Sequence, residues 1–289
     1  MSAQGTTHAS PLVRTRRVGS PEFRLFLLHH AGGAHTAFRG WGRRFPEGWD
    51  VCAVEAPGRG RLLHEPFAAG MGPLVDRLAG AVAPLTDVPF GVFGHSMGAA
   101  VGYELVRELA GSGTAEAAWL GMSGYPAPGP GADDDPRRLS SDELRARVGG
   151  LSGMPAEVLA DDALWALFEP RMRADLALVR SWRAAGPPGP QPVPVTVFAG
   201  ESDPVAGPEL VRGWAGAAPR FQGLRCFPGS HFYLNRARDA VIGAITEEVA
   251  LATAARGAEP VPSRTGAGPP AAGEAAVPAA PGPDRARPS

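Results

Sequence analysis

Three polar side chains, far apart along the chain, are of types that together perform acyl transfer. Ser96 lies in Gly94-His95-Ser96-Met97-Gly98, a G-x-S-x-G pattern. An apolar run from Phe90 to Phe93 precedes it, and a stretch of small and helix-forming residues, Ala99 to Leu109, follows. That context is what a nucleophile elbow requires: a sharp strand-to-helix turn that strains the serine and exposes its hydroxyl. Gly94 and Gly98 flank the turn because side chains there would collide with the neighbouring strand and helix. A serine hydroxyl is a weak nucleophile until a base takes its proton. Among the seven histidines, His231 in "FPGSHFYLN" follows the last apolar run and can return to the same edge of a sheet. Asp203 in "GESDPV" sits just past the preceding run, where it can orient an imidazole and stabilise its charged form. Glu201, two residues earlier, is its rival. His95 is expected to point away from Ser96 and to pack.

A second stretch, "LFLLHHAGG" from Leu25 to Gly33, ends an apolar run in two histidines and two glycines. A loop there can present a backbone N–H to a developing oxyanion, paired with the N–H after the nucleophile. The expected donors are Ala31 and Met97, with Gly32 and Gly33 allowing close approach. His30 is expected to support the loop by hydrogen bonding. No third ligand accompanies His29 and His30, so no metal is expected.

These groups need a scaffold that gathers them. "FRLFLLHH", "DVCAVEAPG", "PFGVFGHS", "AAWLGMSGY", "VPVTVFAGES" and "FQGLRCFPGS" are short apolar runs closed by Gly or Pro, as in strands buried on both faces of a parallel sheet. Helical stretches such as "PLVDRLAGAVAPL" and "AAVGYELVRELA" alternate with them, which predicts an open α/β sheet. Ligands of such sheets bind outside the carboxyl ends of the strands. From Asp133 to Arg183 the alternation is interrupted by helical sequence, expected to form a lid over that edge. In it Ser141 starts a capping pattern, and Pro170 is placed as the first residue of a new helix. Asp175 in this stretch is expected to partner an arginine.

Residues 1–20 read as loose. Residues 256–289, Pro/Ala/Gly-rich and without an aromatic, cannot bury enough surface to order themselves. The domain proper is therefore expected at 21–255. A net charge of −1 gives no electrostatic case for nucleic acid or a membrane surface, and the two cysteines support neither a disulfide framework nor a zinc cluster. No run of about 18 apolar residues occurs, so a soluble, cytoplasmic setting is expected.

With these residues in view, the chain resembles the type II thioesterases, stand-alone α/β-hydrolases found beside polyketide and non-ribosomal peptide synthases. The resemblance runs from about Phe23 to Ala250 and rests on "HAGGAHTAFRGW", "VEAPGRGRLLHEP", "GHSMGA", "MSGYPAP", "GMPAEVL", "RMRADLALVRSW", "GESDPV" and "GSHFYLN". It implies a triad of Ser96, Asp203 and His231 and an oxyanion hole of Ala31 and Met97. It further implies hydrolysis of acyl or aminoacyl groups from the 4′-phosphopantetheine arm of carrier proteins, with no cofactor beyond that arm. A general carboxylesterase or lipase of the same fold, or an acyltransferase between carriers, is the alternative reading, and a monomer is expected. Leu164, Leu167, Phe168, Met172, Leu176 and Val179 recur at helical spacing in the lid and would line the acyl chamber. Where the family has Pro-His before Ala-Gly-Gly, this chain has His29-His30, which removes proline's constraint on the loop's φ.

Overall fold

The computed structural model describes residues 9–127, 135, 138–151, 153–186 and 189–258. In chain order its elements are β1 (Leu12–Arg16), β2 (Phe23–Leu28), β3 (Trp49–Val54), α1 (Met71–Val82), β4 (Phe90–His95), α2 (Met97–Gly111) and β5 (Trp119–Ser123). There follow α3 (Ser141–Gly150), α4 (Ala156–Ala160), α5 (Asp162–Ala184), β6 (Val195–Gly200), α6 (Pro208–Arg212), β7 (Phe221–Phe227), α7 (Tyr233–Arg236) and α8 (Arg238–Ala258). The strands form one sheet in the order β1-β3-β2-β4-β5-β6-β7, parallel throughout except β1.

The central strands β2 to β6 are buried along their whole length. Their side chains alternate between two cores, because successive residues of a strand point to opposite faces. Phe26, Leu28, Cys52, Val54, Val92, Leu120, Met122 and Val197 face one core, which α1 and α2 cover. Leu25, Leu27, Val51, Ala53, Phe93, Trp119 and Phe198 face the other, closed by α8 and by aromatics of the loop after β2. In α1, Met71, Leu74, Val75, Leu78 and Val82 recur at helical spacing and are the buried residues.

Three expectations require correction. Leu12–Arg16, within the supposedly loose terminus, is an edge strand antiparallel to β3, with Leu12 opposite Val54. It buries only Leu12, while the Thr15 hydroxyl donates to the Val51 carbonyl at 3.1 Å. One apolar anchor leaves no periodic signal in the sequence. Ser140, rather than Ser141, caps α3 in a reciprocal box with Glu143. Pro170 does not start a helix but lies inside α5, which begins where the Asp161 side chain accepts from the Leu164 N–H at 2.9 Å. That cap sets the start, and the proline interrupts only its own hydrogen bond. Residues 256–258 complete α8; the rest of the tail, 259–289, lies outside the described residues, as do 133 and 134 at the expected start of the lid. No described helix is long and apolar enough to cross a membrane.

Candidate active site

Because β2, β4, β6 and β7 are parallel, the loops that leave their carboxyl ends converge on one edge. Ser96 stands between β4 and α2 with φ 54° and ψ −117°, the one non-glycine positive φ among the described residues. Such a backbone costs about 1–3 kcal/mol and persists only where its surroundings impose it. Here they do. A Cβ on Gly94 would lie 1.9 Å from the Gly98 carbonyl oxygen, and one on Gly98 would lie 2.2 Å from that of Leu28. The Ser96 N–H donates to the Ser123 carbonyl at 2.8 Å. Met97 is the first residue of α2, so its N–H has no intrahelical acceptor and sits at the positive end of the helix.

His231 and Asp203 meet, His231 Nδ1 lying 2.8 Å from Asp203 Oδ2, both buried. The other oxygen, Oδ1, accepts from the N–H groups of Val205 at 2.8 Å and Ala206 at 3.1 Å. Burial pushes the Asp203 carboxyl upward, but the hydrogen bond and charge of His231 and the two N–H groups outweigh it, holding it below the ordinary carboxylate range. Glu201 is exposed, two residues out on the same turn. His95 is buried with Nδ1 2.8 Å from Ser123 Oγ, which in turn lies 2.6 Å from Tyr233 Oη. Its ring centroid is 5.1 Å from that of His231, so the two rings pack together. Burial, and next the neighbouring His231, push His95 well below the ordinary imidazole range.

The two histidines that end β2 each hold a backbone carbonyl. His29 Nδ1 lies 2.8 Å from the His30 carbonyl, and its Nε2 accepts from the Ala56 N–H at 3.3 Å. That pairing requires the neutral ring with its proton on Nδ1. Burial, reinforced by the charge of Arg59, lowers His29 well below the ordinary range, which keeps it in that form. His30 Nδ1 lies 2.9 Å from the Ala31 carbonyl, and the ring packs edge-on against Phe232 at 4.7 Å. Gly32 adopts φ 73°, and the Gly33 N–H returns to the His30 carbonyl at 3.0 Å.

A cavity of about 70 Å³ joins these parts; Ser96, His231, His30 and Ala31 line it. Its apolar walls are Val148, Leu151 and Met154, at and after the end of α3, with Met172 and Leu176 of α5 and Phe232. Of the expected chamber residues, then, Met172 and Leu176 reach it. Phe168 packs beside it against the position a Gly32 Cβ would take. Leu164 and Leu167 are exposed, and Val179 packs into the body core. A helical stripe has one side on the body and one on the chamber, and spacing alone does not say which is which. Val148, Leu151, Met154 and Phe232 escaped sequence reasoning; the aromatic next to His231 was the available signal. Asp175 does partner an arginine, Arg59, in a buried bidentate pair at 2.6 and 2.7 Å. Among the described residues no group of three or more His, Cys, Asp or Glu side chains could hold a metal.

The thioesterase domain family matches residues 23–249. The gramicidin S biosynthesis protein GrsT of Aneurinibacillus migulanus is 30% identical over 234 residues, 81% of this chain and 91% of the relative. The solved RedJ thioesterase of the prodiginine pathway in Streptomyces coelicolor is 34% identical with a TM-score of 0.72, covering 79% of this chain and 91% of that one. The type II thioesterase BorB of the borrelidin cluster is 30% identical with a TM-score of 0.71, covering 84% of this chain and 99% of its own.

Proposed function

The chain belongs to the thioesterase family, among its type II members, and from that premise we propose that it hydrolyses acyl groups held as thioesters on the 4′-phosphopantetheine arm of carrier proteins, clearing stalled or misprimed units from a polyketide or non-ribosomal peptide synthase. The observation that carries the reading is the His231–Asp203 pair at 2.8 Å opening on the same cavity as the strained Ser96.

In this scheme Ser96 Oγ attacks the thioester carbonyl while His231 takes its proton, and Asp203 holds the imidazole in the right tautomer. The carbonyl oxygen becomes an oxyanion facing the N–H groups of Ala31 and Met97. Collapse breaks the C–S bond, and His231 returns the proton to the departing pantetheine thiolate. Water, deprotonated by the same histidine, then attacks the acyl-Ser96 ester; the C–Oγ bond breaks, His231 returns the proton to Ser96 Oγ, and the acid is released. The scheme needs no cofactor of the protein's own, since the pantetheine arrives with the substrate. The cavity's apolar walls suit an acyl chain, and the names of the relatives support the synthase setting.

Replacement of Ser96 by alanine tests it. Turnover of acyl-carrier thioesters should fall by a factor on the order of 10⁶ with the fold intact, and mass spectrometry of quenched wild type should find the acyl group on Ser96. A folded Ser96→Ala variant keeping a tenth of the activity refutes the assignment. Wild type preferring p-nitrophenyl esters to acyl-pantetheine thioesters refutes the substrate class.

A further inference from the structure

Two peptide units flank Ala31, and both are pinned. In the unit before it, the His30 carbonyl receives the Gly33 N–H at 3.0 Å and His29 Nδ1 at 2.8 Å. In a trans peptide the carbonyl and N–H point opposite ways, so these bonds aim the Ala31 N–H away from them. In the unit after it, the Ala31 carbonyl receives His30 Nδ1 at 2.9 Å, and the Gly32 N–H donates to Asp175 Oδ2 at 2.7 Å. Three of these four partners belong to the loop itself. The fourth, Asp175, comes from α5, 143 residues away.

Asp175 is itself held. The Arg59 guanidinium grips both its oxygens, with side-chain exposures of 1% and 6% for the two partners. Arg59 also donates to the Gly33 carbonyl at 3.2 Å and to that of Pro57 at 3.2 Å. Contact between α5 and the loop is close on a second count: a Cβ on Gly32 would fall 2.4 Å from Phe168 Cζ and 2.7 Å from Met172 Cε. An ion pair that merely stapled the helix down would need only the fork. Sharing Oδ2 with a backbone N–H of the oxyanion loop is an additional arrangement.

We propose that Asp175 is a positioning residue for the oxyanion hole: it sets the Ala31–Gly32 peptide plane, and through it the aim of the Ala31 N–H, so that hydrolysis requires α5 to be seated on the loop. The inference rests on the roles given above to Ser96 and Ala31. It makes α5 a fixed wall of the chamber.

Two double variants test it. Arg59→Met/Asp175→Leu replaces the buried pair with apolar groups of similar size, an exchange proteins often tolerate. Arg59→Met/Asp175→Asn keeps a carbonyl oxygen for the Gly32 N–H. With both folded, the leucine variant should show kcat about ten- to a hundredfold below the asparagine variant, at a KM within about threefold, as for a donor misplaced only in the transition state. Affinity for an acyl trifluoromethyl ketone, whose adduct places an oxyanion in the hole, should fall by the same factor. Equal kcat in the two variants, or unchanged affinity for the ketone, overturns the proposal. If the leucine variant does not fold, amide exchange of nitrogen-15-labelled wild type decides. Gly32 should be protected to the level of the α5 amides around Asp175, and free exchange at Gly32 overturns it. Ser96→Ala in parallel separates the two ideas: activity there defeats the mechanism, whereas its loss beside a fully active leucine variant defeats only the role of Asp175.

Discussion

Gly98→Ala should damage catalysis far more than stability, and the reason lies in one contact. The added methyl would stand 2.2 Å from the Leu28 carbonyl oxygen, 2.6 Å from its carbon and 2.7 Å from the His29 oxygen. These are backbone atoms at the end of β2, so no side chain can swing aside. Reaching even 3.0 Å demands about 0.8 Å of separation between the first turn of α2 and the end of β2. The first segment carries Met97 and the second leads into Ala31, so the shift would pull apart the two N–H groups proposed to hold the oxyanion. Misplacement on the order of 1 Å costs about a hundredfold in rate. Overpacking costs about 1–3 kcal/mol, but alanine in place of a helical glycine returns about 1 kcal/mol. The net is a loss of about 0–2 kcal/mol, lowering the melting temperature by at most ~8 °C at the ~2–4 °C per kcal/mol of a domain this size. Gly102→Ala, one turn along α2, is the control. Its methyl meets side chains only, Val92 Cγ1 at 3.0 Å and next Leu120 Cδ1 at 3.7 Å, and a side chain can give where a backbone cannot, so activity should stay within about twofold. Thioester hydrolysis and thermal melts on both variants provide the test. A folded Gly98→Ala enzyme as active as Gly102→Ala refutes the argument.

Asp203→Asn should cost about 10⁴ in kcat through loss of the correct tautomer, while Glu201→Gln stays near wild type; the reverse order in a steady-state assay would mean the wrong acid was chosen. Gly80→Ala and Gly243→Ala, each with open space around the new methyl, should together raise stability by about 1–2 kcal/mol, and a fall in melting temperature counts against that. Stability should also decline as pH drops below about 6.5, because the unfolded chain then protonates the histidines that burial holds neutral at positions 29 and 95. Their folded values are depressed, so the loss is up to about 1.4 kcal/mol per pH unit for each, and Asp203, held low, adds its share only in more acid solution. Urea melts between about pH 7.5 and 5.5 read the slope, and a flat profile contradicts it.

Six strands and the polar residues after them were legible because a buried parallel strand is a continuous apolar run, and a loop that needs close approach is written in glycine. Asp203 and His231 could be placed by their position just past such runs. What escaped was information carried by single contacts. β1 buries Leu12 alone, and the cap at Asp161 overrules the proline at 170 as the start of α5. The chamber walls depended on which side of α5 meets the body, a matter of packing that the 3.6-residue period leaves open. Asp175 was legible as an arginine's partner, yet nothing in its spacing announces a bond to Gly32, which exists only once the chain has closed a 143-residue loop.

The paired histidines at the end of β2 show how one local constraint can stand in for another. A proline at position 29 would restrict φ there and contribute no donor. His29 leaves φ free by itself, but its ring spans from the His30 carbonyl at 2.8 Å to the Ala56 N–H at 3.3 Å, tying the loop after β2 to the loop after β3. The ring is 3% exposed and sits beside Arg59, whose charge discourages its protonation. Protonation would place a hydrogen on Nε2 facing the Ala56 N–H, two donors where one bond had been. The arrangement therefore holds only for neutral His29, and burial supplies that condition. The loop is in this way tied by hydrogen bonds where a proline would act through φ, and the ring that ties it stands one residue before His30, whose carbonyl receives the His29 Nδ1 and Gly33 N–H groups.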